Sequence, residues 1–131
     1  MKNCMTYALE LENMNIDSLD LNLWYSRNPE SQIREKCQQF NRSIRQIESD
    51  NSPLEEGEWM IAFFGFIPYH YDYEGRPDMY DYHFIRRKED QKWYHRTGIG
   101  GKISEIEENL FSEYLNSGYP PQYFAVKQVE V

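Results

Sequence analysis

The spacing of apolar and polar positions changes several times along the chain, and each change marks an element. Cys4, Tyr7, Ala8 and Leu11 recur at steps of three and one or three behind Asn3, a residue that caps helix starts, so a first helix is predicted through Leu11. From Glu12 to Asn28 the repeat is lost among Asn13, Asn15, Asp17 and Asp20. That predicts an irregular connection, with a short strand or turn around Leu21-Asn22-Leu23-Trp24. Pro29 suits the first turn of a helix, and Ile33, Cys37, Phe40, Ile44 and Ile47 follow at helical steps. They predict one long amphipathic helix, stopped by Asn51-Ser52-Pro53.

Beyond that point the period shortens. Trp59 to Ile67 is an apolar run between Gly57 and Pro68, and it predicts a central strand covered on both faces. Pro68 to Asp78, with Gly75 and Pro77, reads as a loop. Tyr80 to Arg87 and Lys92 to Thr97 read as two strands of a hairpin turning at Lys88-Glu89-Asp90-Gln91. Ser104 with Glu107 makes a capping box ahead of a stripe of Ile106, Leu110, Phe111, Tyr114 and Leu115, ended by Asn116-Ser117-Gly118. Tyr123 to Val131 reads as a last strand. The expected fold is α+β: helices packed on one antiparallel sheet of about four to five strands, in a single domain over residues 1–131.

Composition narrows the function classes. At 131 residues the chain suits one domain able to bury a core without staples. Its 16% aromatic content points to a core of large rings. A net charge of −8 argues against nucleic acid or an anionic membrane as partner; it suits a protein or peptide partner, or serves only solubility, the plainer reading. The N-terminus carries no apolar run of signal-peptide length and no stretch approaches membrane-span length, so the expected location is cytoplasmic, with Cys4 and Cys37 reduced.

Three side chains carry the candidate chemistry. A thiol in the first turn of a helix sits beside unpaired N–H groups that favour the thiolate, which makes Cys4 a candidate nucleophile, a buried core thiol being the competing reading. Cys37 falls on an apolar stripe and reads as core. His83 and His95 are equidistant from the predicted hairpin turn and should face each other across it, as a base and its orienting group or as two imidazoles that only satisfy each other. Asp81, two residues before His83, should share its face and raise its pKa by charge. His70 falls in the Tyr-rich segment and should be exposed. One of Arg86 and Arg87 could hold a carboxylate or phosphate bidentately, against the plainer reading of a solvated pair. Gly98-Ile99-Gly100-Gly101 lacks the Lys-Ser/Thr of a phosphate-binding loop and reads as a flexible loop over the site.

Asn3-Cys4-Met5-Thr6-Tyr7-Ala8-Leu9, Asp81-Tyr82-His83-Phe84-Ile85-Arg86 and Trp93-Tyr94-His95-Arg96-Thr97-Gly98 together resemble the papain-like cysteine hydrolases, most closely the small NlpC-type proteins. The resemblance implies a papain-like core, with Cys4 attacking a peptide, isopeptide or other acyl carbon. His83 would act as general base and acid, and His95 would hold its ring. It also implies an oxyanion met by the Cys4 N–H and by Asn3, with Tyr7 either facing the site or lying in the core, and no cofactor or metal. A catalytic zinc on Cys4, His83 and His95 is a weaker alternative, because no two of them share a short ligand spacing. The other alternative is a non-catalytic acidic binding protein that blocks a partner surface. Its basis is the net charge, the Glu55-Glu56-Gly57-Glu58 turn and the Tyr-rich segment from Tyr69 to Tyr82.

Overall fold

The structure is a computed structural model that describes residues 3–12, 14, 21–22, 28–96, 101–116 and 120–129. Its elements in chain order are α1 (Cys4–Ala8), α2 (Pro29–Gln39), β1 (Arg42–Ile47), β2 (Trp59–Tyr71), β3 (Pro77–Arg87), β4 (Trp93–Arg96), β5 (Ile103–Glu105), α3 (Glu108–Leu115) and β6 (Gln122–Gln128). The strands form one antiparallel sheet in the order β1-β6-β2-β3-β4-β5, curled into a half-barrel. Two expected features, the strand around Leu21–Trp24 and the loop at Gly98-Ile99-Gly100, lie wholly or mostly outside the described residues.

This architecture corrects the expected one. The sheet dominates, the helices are few and short, and they do not share one face, so the expected fold of helices on a four-to-five-strand sheet with a papain-like core is not what the chain adopts. Two local misreadings account for much of the difference. The stripe read as one long helix ends at Gln39, where Asn41 takes φ 57°, a left-handed conformation that Asn tolerates and that closes a helix. The next six residues pair with β6 as β1. In a strand Ile44 and Ile47 point to opposite faces, and they enter separate apolar clusters, which one helical stripe would not allow. The segment read as a loop from Pro68 to Asp78 is mostly strand, because β2 and β3 run on to Tyr71 and from Pro77, leaving a turn at 72–76.

Ser104 is likewise not a helix cap. It lies in β5 opposite His95, and α3 starts at Glu108 with no side-chain cap bond.

The apolar run of β2 does sit inside the sheet, between β6 and β3, and both of its faces are covered. Ile61 and Phe63 pack with Phe84, Met5, Ala8, Ile33 and Cys37 under α1 and α2. Ala62 and Phe64 pack with Ile85 and with Leu110, Phe111 and Tyr114 of α3. A strand buried on both faces needs apolar residues at every position, which is the pattern the sequence carries. Gly65 follows this run where the β2–β3 register shifts; a Cβ there would lie 2.6 Å from the Phe63 ring.

Helix α1 is only five residues long, too short to persist alone, and its ends are secured from outside. Asn3 and Thr6 make a reciprocal capping box: the Thr6 N–H donates to Asn3 Oδ1 at 3.1 Å and the Asn3 N–H donates to Thr6 Oγ1 at 2.8 Å. At the other end Trp59 Nε1–H donates to Ala8 O at 2.8 Å. The buried Arg42 guanidinium donates to Leu9 O at 2.9 Å, Glu10 O at 3.0 Å and Phe40 O at 3.1 Å. Carbonyls that a helix end leaves orphaned are thus satisfied by groups over thirty residues away.

Candidate functional site

Strand β3 organises the site, because alternate residues face opposite sides of the sheet. Tyr82, Phe84 and Arg86 face α1, whereas His83 and Ile85 face α3. Strand β4 is bonded to β3 only at Arg86↔Tyr94 and Arg87↔Trp93. Beyond that, no further β3–β4 pairing is present among the described residues. Helix α1 packs against β3, and the Phe84 N–H favours the Cys4 thiolate.

His83 and His95 do meet. His83 Nε2 lies 2.8 Å from His95 Nδ1, and the rings are 5.1 Å apart at 84°. Both residues are buried. They are diagonal neighbours rather than direct ones: continued one residue onward, the β3–β4 register sets His95 across from Ile85. His95 is also held from its other side by pairing with Ser104 of β5. Tyr114 of α3 stacks on His83, with centroids 4.9 Å apart at 21°. Sequence reasoning missed this contact, since Tyr114 showed only as one more residue on a helical stripe.

The electrostatics run against the expectation for both the nucleophile and the base. Burial pushes the Cys4 thiol up to about 11, and the Asp81 charge pushes it the same way; the N–H groups of Phe84, Met5 and Cys4 favour the thiolate but are outweighed. Burial, then the neighbouring His95, pulls His83 down to about 4, and burial lowers His95 as well. At neutral pH the thiol and both imidazoles are therefore uncharged. Asp81 does not raise His83 as expected. It is exposed, it accepts its own strand's Tyr82 N–H at 2.8 Å, and its charge is felt at Cys4 and Tyr114 instead.

The remaining predicted residues are placed as follows. Asn3 is buried, and its amide oxygen is occupied by the helix cap. Tyr7 lies one turn beyond Cys4, against Arg86, and its buried hydroxyl has no hydrogen-bond partner among the described residues. Cys37 is fully buried in the core, and burial pushes its thiol up to about 12. His70 is exposed and pairs with Asp78 at 2.6 Å. Among the described residues no three His, Cys, Asp or Glu side chains converge closely enough to hold a metal ion, so Cys4, His83 and His95 are not a ligand set. No described helix is long and apolar enough to cross a membrane.

Compared with family models, with curated proteins and with solved structures, the chain shows no match. The likeness of its three segments to small cysteine hydrolases therefore rests on those segments alone.

Proposed function

We propose that the protein is a thiol-dependent hydrolase or acyltransferase acting on a peptide, isopeptide or other acyl bond. What supports this reading is that the Phe84 N–H favours the Cys4 thiolate, and that Phe84 is the residue next to a His83 tied to His95. In this reading His83 Nε2–H donates to His95 Nδ1, which leaves Nδ1 of His83 as the nitrogen that takes the thiol proton. Because thiol and imidazole are both neutral at rest, the proton moves as Cys4 attacks, by general-base catalysis, rather than from a preformed ion pair. The N–H groups of Phe84, Met5 and Cys4, which favour the thiolate, are the donors that would meet a developing oxyanion.

The test is mass spectrometry after incubation with an activated acyl ester. A single acyl adduct should form on Cys4 and turn over, and His83→Ala should slow its formation at least about 100-fold while the protein stays folded. Acylation of Cys4 no faster than that of buried Cys37 would end the reading.

A second reading, a non-catalytic protein that binds a protein surface, draws on the β2–β3 hairpin tip. There Tyr73 is 97% exposed, with Tyr71, Met79 and Tyr80 exposed beside it. The acidic turn contributes less than its composition suggests, because Glu58 is consumed by Arg45 through bonds of 2.9 and 2.8 Å. One pair of variants separates the readings: Cys4→Ala abolishes a catalytic effect and spares a binding one, and Tyr71→Ala with Tyr73→Ala does the reverse.

A further inference from the structure

An open cleft of about 800 Å³ lies on the α1 side of the sheet, away from the imidazole pair, and Tyr7, Trp59 and Arg86 line it. The Arg86 guanidinium lies 4.7 Å from the Trp59 ring centroid and 6.0 Å from that of Tyr7. Stacking holds the plane of the group but uses none of its five N–H donors. Among the described residues it makes no hydrogen bond, and its nearest carboxylate, on the exposed Glu10, is 3.6 Å away.

Beside it the Tyr7 hydroxyl is sealed from solvent, on a residue only 5% exposed, and has no hydrogen-bond partner among the described residues. A buried hydroxyl without a partner is costly and uncommon, and calls for a reason. The acids of the cleft wall do not make it a cation site. Both oxygens of Glu58 are bonded to Arg45, and Asp90 accepts from Tyr94 Oη–H at 2.7 Å and from the Lys92 N–H at 2.9 Å, which leaves only the exposed Glu89, one ligand where a cation needs several. What the cleft holds in reserve is therefore a forked cation and a hydroxyl donor, side by side.

We propose that Arg86 and Tyr7 form a binding site for a carboxylate, carried by a small organic acid or by a peptide. The planar guanidinium takes both oxygens through two parallel N–H bonds, a geometry specific to Arg. The Tyr7 hydroxyl donates to one of those oxygens. Because that hydroxyl is closed to solvent at rest, Arg86, whose side chain is 22% exposed, re-orients with its ligand to bring the carboxylate onto it. The apolar body of the ligand then lies against Trp59, and a cleft of this volume accepts a group of drug or short-peptide size.

The site requires nothing of Cys4, so it stands or falls apart from the thiol chemistry. The experiment is an NMR titration of the whole protein, following the Arg86 Nε–H and Trp59 Nε1–H resonances. The probes are benzoate, benzamide, inorganic phosphate, and an acetylated dipeptide with a free or an amidated C-terminus. Saturable shifts with benzoate or the free-acid peptide, absent with benzamide and the amidated peptide, are expected; which of the two acids binds more tightly identifies the source. Arg86→Lys should weaken binding about tenfold or more, and Tyr7→Phe severalfold, while Cys4→Ala leaves it unchanged. Equal response to benzamide, preference for phosphate, or indifference to both substitutions would overturn the assignment.

Discussion

The two faces of β2 and β3 are built from the same alternation of large apolar residues yet are used differently. On the α1–α2 face, Phe63, Phe84, Ile33 and Leu11 are fully buried, in a cluster whose buried members are all apolar. On the α3 face the same strands bury Phe64 and Ile85, but next to them lie His83 and His95 under Tyr114. Its covering helix has no buried residue and no side-chain cap. The thickly covered side buries charge only where it is tied down, as Arg42 is to the carbonyls of Leu9, Glu10 and Phe40, whereas the thinly covered face holds imidazoles that a small opening would return to water.

The largest effect that should separate the faces is a cavity. Phe84→Ala should cost about 3–5 kcal/mol, read from urea midpoints, and Tyr114→Ala only about 1 kcal/mol. Equal losses would mean that α3 is as integral to the core as α1 and α2, and the contrast would be gone.

Acid should act most strongly on the imidazole face. His83 is pulled down to about 4 when folded, against an ordinary value near 6.5, so between those pH values the unfolded chain binds the extra proton. Stability is therefore full above about pH 6.5 and falls as pH drops toward 4, by up to about 3 kcal/mol from this group. His95 acts in the same direction. Midpoints measured at pH 7 and 4.5 should differ less in His83→Gln than in the parent protein; an unchanged difference would place the acid sensitivity in the carboxylates.

Smaller effects sharpen the picture. Tyr7→Phe removes an unpaired buried hydroxyl and should raise stability by about 1 kcal/mol, observed as a higher Tm, while weakening carboxylate binding. A lower Tm would reveal a bond that the hydroxyl makes. Glu107→Ser supplies the cap that α3 lacks and should add about 0.5 kcal/mol, with slower amide exchange across Glu108–Leu115. If exchange there is already as slow as in β2, the cover is not thin.

The sequence by itself determined what depends on near neighbours. The Asn3 cap, the doubly covered run of β2, the turn between β3 and β4 and the buried state of Cys37 were legible because period and capping act over a few residues. It also brought His83 and His95 together, two residues out of register, since a hairpin fixes pairing locally. Only the tertiary structure decided the rest. A run of 3–4 spacings is blind to Asn41 turning left-handed and to β6 waiting to pair with Arg42–Ile47, so one helix became a helix and a strand. The charge state of Cys4 was decided in the same way: the helix start favours the thiolate, and burial against β3 outweighs it, because desolvation depends on everything that packs around the sulfur.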